Sequence, residues 1–139
     1  MAKVLALDIG TKRTGIAETD PFQIIATGLK TISTTELLFF LDDYLKTEDL
    51  ECLVVGEPKR LHGVASDVEK YIGEIVNQIQ KAFPTLKIER IDERFTSKIA
   101  SQTIANSGLK KKKKQNKALI DEVSAVIILQ SWMQKNQRL

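Results

Sequence analysis

A helix with almost no polar face has to be buried, and that requirement shapes the rest of this chain. The segment from Ala118 to Gln134 reads as a helix. Within it Leu119, Ile120, Val123, Val126, Ile127, Ile128, Leu129, Trp132 and Met133 leave almost nothing polar between Leu119 and Leu129. Such a helix needs a broad apolar surface to lie on, and short strands supply one. Val4-Leu5-Ala6-Leu7 and Cys52-Leu53-Val54-Val55 are continuous apolar runs of the kind that form buried strands. Each ends at a turn signal beside a carboxylate, Asp8-Ile9-Gly10 in the first case and Gly56-Glu57-Pro58 in the second. A third run, Leu86 to Ile91, alternates with period two as an edge strand does and leads into Asp92-Glu93-Arg94.

The remaining segments complete an α/β architecture. Gly15 to Glu18 and Ile24 to Ile32 continue the first strand as an antiparallel meander. Ser33 and Glu36 form a capping-box pattern ahead of Leu37, Phe40, Leu41, Tyr44 and Leu45, which recur at helical spacing. Ala65 to Phe83 is an amphipathic helix stopped by Pro84, and Thr96 or Ser97 caps a short helix that Asn106-Ser107-Gly108 ends. The expectation is one domain over residues 1–139: a mixed five-stranded sheet, antiparallel first and parallel across strands one, four and five, flanked by helices. A lone cysteine, Cys52, excludes a disulfide framework and reads as a small buried hydrophobe. No apolar stretch is long enough to span a bilayer, so the expected location is cytoplasmic, with no membrane partner.

Asp121 is out of place in its helix. It shares a stripe with Ala125, Ile128 and Trp132, which aims its carboxylate at whatever that stripe packs against, whereas Glu122 points elsewhere and is expected in solvent. A buried carboxylate must be protonated, paired with a base or bound to a cation. The alternative is that Asp121 only favours the positive end of the helix dipole. Asp8, Glu57 and Glu93 raise the same question, because parallel strands bring their carboxyl ends to one edge. Turn formation is the plain alternative for Asp8. Gathered acids repel one another unless a cation joins them, and oxygen ligands suit magnesium or manganese. The single histidine, His62, sits in a glycine-flanked loop as a surface residue, and no Cys/His cluster offers zinc a site.

Each acidic strand end has basic company: Lys12 and Arg13 beside Asp8, Lys59 and Arg60 after Glu57, and Arg94 beside Glu93. These suit a phosphate backbone, although Arg94 can equally pair with a neighbouring acid. The run Lys110, Lys111, Lys112, Lys113, Lys114, with Lys117, is either a solvated loop or a phosphate-gripping flap before Asp121. Those six lysines exceed the net charge of +3, so the rest of the chain stands at −3.

Leu7-Asp8-Ile9-Gly10-Thr11-Lys12-Arg13-Thr14-Gly15-Ile16-Ala17, Val54-Val55-Gly56-Glu57-Pro58, Asp92-Glu93-Arg94-Phe95-Thr96, and Asp121 through Ala125 to Gln130 together resemble the YqgF/RuvX family over nearly the whole chain. The resemblance implies an RNase H-like fold, kinship with Holliday-junction resolvases and a role in maturing the 5′ end of pre-16S ribosomal RNA. It further implies Asp8, Glu93 and Asp121 as metal-binding catalytic acids. Glu57 stands near the place where related resolvases carry an acid at the end of strand four. The lysine run departs from the family in lacking a glycine.

The leading expectation is therefore a magnesium- or manganese-dependent endonuclease acting on structured RNA such as precursor ribosomal RNA, with the small-subunit precursor as its setting. Resolution of branched DNA by the same chemistry is the alternative. A non-catalytic ribosome-assembly or nucleic-acid-binding module is a third reading. The Asp8-x-Gly10 turn with Gly15 also resembles a phosphate loop of two-domain phosphotransferases, but 139 residues supply only one domain.

Overall fold

The computed structural model describes residues 2–57, 67–92 and 117–136. In chain order these form β1 (Lys3–Ile9), β2 (Arg13–Thr19), β3 (Ala26–Ser33), a 3-10 turn (Thr34–Glu36), α1 (Leu37–Thr47), β4 (Leu50–Glu57), α2 (Asp67–Ala82), β5 (Ile88–Asp92) and α3 (Lys117–Lys135). The sheet runs β3-β2-β1-β4-β5. β1, β2 and β3 are antiparallel, while β4 lies parallel to both β1 and β5. This is the mixed topology expected from the sequence. Lys59, Arg60, Glu93, Arg94, the segment after Thr96 and Lys110 to Lys114 lie outside the described residues. Among the described residues no helix is long and apolar enough to cross a membrane.

Strand alternation divides the interior into two cores. Leu5, Leu7 and Ile9 of β1 join Leu53 and Val55 of β4 on the face covered by α1 and α2, where Leu37, Leu41, Ile72 and Ile79 are buried. Val4, Ala6, Cys52 and Val54 turn the other way, onto Ala125, Ile128, Leu129 and Trp132 of α3. Burying this continuous apolar surface from both sides supplies the main driving force for the fold. α3 is buried along one face only, since Val123, Val126 and Ile127 keep partial exposure.

The capping box does not form. Ser33 makes no side-chain cap, and its hydroxyl lies 3.1 Å from that of Thr35. The cause is Thr34, which the β1–β2 turn recruits: its N–H donates to the Lys12 carbonyl at 3.0 Å and its hydroxyl to the Gly10 carbonyl at 2.7 Å. Thr34 Oγ1 also lies 2.9 Å from Thr14 Oγ1 in the buried interior. The local helix signal yields to a longer-range need to satisfy the turn's carbonyls.

Candidate active site

Parity along β1 decides where Asp8 goes. It follows Val4 and Ala6 on the α3 face, at the carboxyl end of the strand, and its neighbour across the ladder is Gly15 of β2. Gly15 has no side chain to hold the helix off, so the Asp121 carbonyl and the Glu122 amide rest directly on it, where a Cβ would collide with backbone. On β3, Gly28 does the same for the Glu122 side chain, which packs over it. The two glycines form a trough that seats the first turns of α3. Glu122 is therefore laid across the sheet and partly covered, contrary to the solvent-facing position expected for it, because Gly28 leaves room beneath it.

At its other end α3 is tied to β5. Trp132 Nε1 donates to Glu89 Oε2 at 2.8 Å, and the Cys52 thiol donates to the same oxygen at 3.1 Å. The thiol is pushed up to about 12 by burial first and by Glu89 second, so Cys52 is an inert core residue. Glu89 is held below its ordinary value by these two hydrogen bonds, Cys52 first.

The seating brings Asp121 and Ser124, one turn apart on α3, onto Asp8. Loss of hydration on burial, then repulsion from Asp121, raises the Asp8 carboxyl well above the usual range, to about 7, against an opposing hydrogen bond with the Ser124 side chain. Ser124 is itself buried. Asp121 is also met by Arg13 at the start of β2, whose Nε donates to Asp121 Oδ2 at 3.0 Å. The backbone under Arg13 is fixed, because its carbonyl accepts from the Gly10 N–H at 2.8 Å and Thr34 holds the Gly10 and Lys12 carbonyls of the same turn.

Of the acids expected to converge, the structure brings Asp8 and Asp121 together. Glu57 stands two residues beyond Val55, whose side chain packs under α1 and α2, so alternation directs Glu57 to the face opposite Asp8. Glu93 lies outside the described residues, which contain no group of three or more His, Cys, Asp or Glu able to hold a metal ion. Lys12 is exposed in the β1–β2 turn, as a phosphate contact requires, whereas Arg13 is engaged with a carboxylate. Lys117 begins α3, and its side chain lies outside the description. Ser124 is the site residue that sequence reasoning missed. Its signal was the three-residue spacing from Asp121, which puts both on one side of a helix.

Two carboxylates and a hydroxyl form an all-oxygen donor set, and burial has made at least one of the acids costly to ionise. A hard divalent cation relieves both conditions. Magnesium is commonly held by one or two carboxylates, with water and substrate phosphates filling the remaining positions, so the pair fits such an ion.

Residues 2–135 match the family model described as RuvX: Holliday junction resolvase. A protein of Christiangramia forsetii, named "Putative pre-16S rRNA nuclease", is 54% identical over 133 residues, covering 96% of this chain and 98% of that one. A protein of the same name from Phocaeicola vulgatus is 47% identical over 137 residues, covering 99% of each. Among solved structures, T. thermophilus RuvC in complex with a Holliday junction substrate superposes with a TM-score of 0.57 at 13% identity. That match covers 99% of this chain and 98% of the other, and it shows that the fold is shared.

Proposed function

The chain belongs to the RuvX family, and from that membership we propose that it is a divalent-metal-dependent endonuclease maturing the 5′ end of pre-16S ribosomal RNA in the cytoplasm, on the small-subunit precursor. The observation that carries this reading is the meeting of Asp8 and Asp121, from the first strand and the last helix, on one face of the sheet. Asp8, Asp121 and Glu93 are the proposed ligands of magnesium or manganese. When bound, such an ion lowers the pKa of attacking water and offsets charge on the phosphoryl oxygens. The Asp8 and Asp121 carboxylates would hold such an ion, and the hydrogen bond with Ser124 orients the Asp8 carboxyl toward it. Lys12, Lys59, Arg60, Arg94, Lys110 to Lys114 and Lys117 supply a sequence-independent attraction for the phosphate backbone.

The family description favours a second reading, resolution of a four-way DNA junction by the same residues. The test incubates purified protein and its Asp8→Asn variant with manganese and either a 16S ribosomal RNA bearing its 5′ precursor segment or a four-way junction. Cleavage of the RNA by the wild type alone supports the proposal. Cleavage of the junction alone supports the second reading. Binding without cleavage of either, unaffected by Asp8→Asn, overturns both in favour of a non-catalytic binding module.

A further inference from the structure

The pairing of Arg13 with Asp121 is odd for a residue at a phosphate-facing edge. Its Nε donates to one carboxylate oxygen at 3.0 Å, and this is the carboxylate whose charge repels Asp8. The Arg13 side chain is 40% exposed and that of Asp121 25%, so the contact opens to water without disturbing either core. The backbone beneath Arg13 is pinned by the bonds from Gly10 and Thr34, which leaves the side chain as the part able to move. A guanidinium on a flexible stem, anchored at its root and bonded to one carboxylate of the pair, competes with a divalent ion for that carboxylate.

We propose that Arg13 is the resident counter-cation of the Asp8–Asp121 pair: its guanidinium holds Asp121 until a divalent ion binds, then leaves. The inference rests on the metal-binding reading of that pair. Two consequences follow from charge alone. In the metal-free protein Arg13 offsets the charge of Asp121, the member of the pair that it touches. It also weakens divalent-ion binding, because ion and guanidinium compete for one carboxylate and repel each other at close range. A unit charge and a divalent ion about 6 Å apart, screened as in water, change affinity by on the order of tenfold. Once displaced, the guanidinium is free to meet an anionic oxygen, so binding of cation and polyanion becomes coupled.

The experiment titrates manganese by calorimetry into wild type, Arg13→Gln, Arg13→Lys and Asp8→Asn, with the melting temperature of each recorded before and after. Arg13→Gln should bind manganese on the order of tenfold more tightly, melt lower than wild type without metal, and gain more from adding it. Arg13→Lys, which keeps the charge, should stay within a few-fold of wild type. In a parallel magnesium titration followed by NMR, the Arg13 Nε–H signal, assigned by its loss in Arg13→Gln, should lose protection from solvent exchange. Equal or weaker manganese binding by Arg13→Gln overturns the inference, and so does an Nε–H that stays protected at saturating magnesium. Failure of the metal reading looks different: manganese binding absent from wild type, or retained in Asp8→Asn, removes that premise and the inference with it.

Discussion

Gly15 lies directly beneath the backbone carbonyl of Asp121, with no space for a Cβ between strand and helix. The distance between the acid of β1 and the acid of α3 is therefore set by the absence of a side chain. Gly15→Ala forces α3 off the sheet at its first turns, against backbone that cannot yield as a side chain would. The expected cost is about 3 kcal/mol or more, read as a lower midpoint in urea. Manganese affinity should fall with it, because Asp121 moves away from Asp8.

Asp8→Asn keeps the shape of the side chain and removes its charge. Burial and Asp121 both act against ionisation of Asp8, so the variant should be more stable than wild type at pH 8 in the absence of divalent ions. It should bind no manganese and cut no nucleic acid. Thermal melts in chelator, paired with cleavage assays, check both halves.

The pH dependence follows from the same shift. The folded-state value near 7 exceeds the ordinary 3.8, so the folded protein holds a proton that the unfolded chain has released across that interval. Stability from this group is fully present below about pH 4 and is lost as pH rises through about 7, at up to about 1.4 kcal/mol per pH unit. The difference in stability between wild type and Asp8→Asn, measured in chelator from pH 4 to 8, isolates it. A saturating divalent ion should abolish the downward slope.

At the far end of α3, Trp132→Phe keeps a ring in the core and removes the donor to Glu89. A loss of about 1 kcal/mol is expected at neutral pH. Glu89 has a lowered value, so its contribution is present above the ordinary 4.5 and fades as pH falls through the lower folded value. Acid titration should therefore bring wild type and Trp132→Phe closer together.

Replacing Lys110 to Lys114 by glutamine should leave the urea midpoint unchanged and reduce the slope of log affinity for nucleic acid against log salt by about 4. Fluorescence anisotropy at a series of salt concentrations measures it.

Period-two alternation made most of this architecture legible. Val4 and Ala6 predict the face of Asp8, and the three apolar runs predict the parallel neighbours β1, β4 and β5, the last at the edge of the sheet. The position of Asp121 on its stripe correctly aimed it inward. Alternation also separates Glu57 from Asp8, and the convergence of strand ends concealed this because it tracks edges and ignores faces. The remainder depended on tertiary contacts with no local trace. Gly15 looks like any strand glycine until a helix rests on it. Ser33 and Glu36 satisfy a capping rule that Thr34 overrides by bonding the β1–β2 turn. Arg13 has an acid five residues before it, yet its partner lies 108 residues away.

That separation makes the site a product of finished folding. Asp8 and the turn bearing Arg13 come from the start of the chain, Asp121 and Ser124 from its last described helix, and no subset of neighbouring elements contains both. A chain whose strands have paired but whose α3 has not docked carries Asp8 at the end of β1 without Asp121 beside it. A nuclease assembled in this way has no complete site while its fold is unfinished, and a molecule that loses its last described helix loses half of the Asp8–Asp121 pair with it.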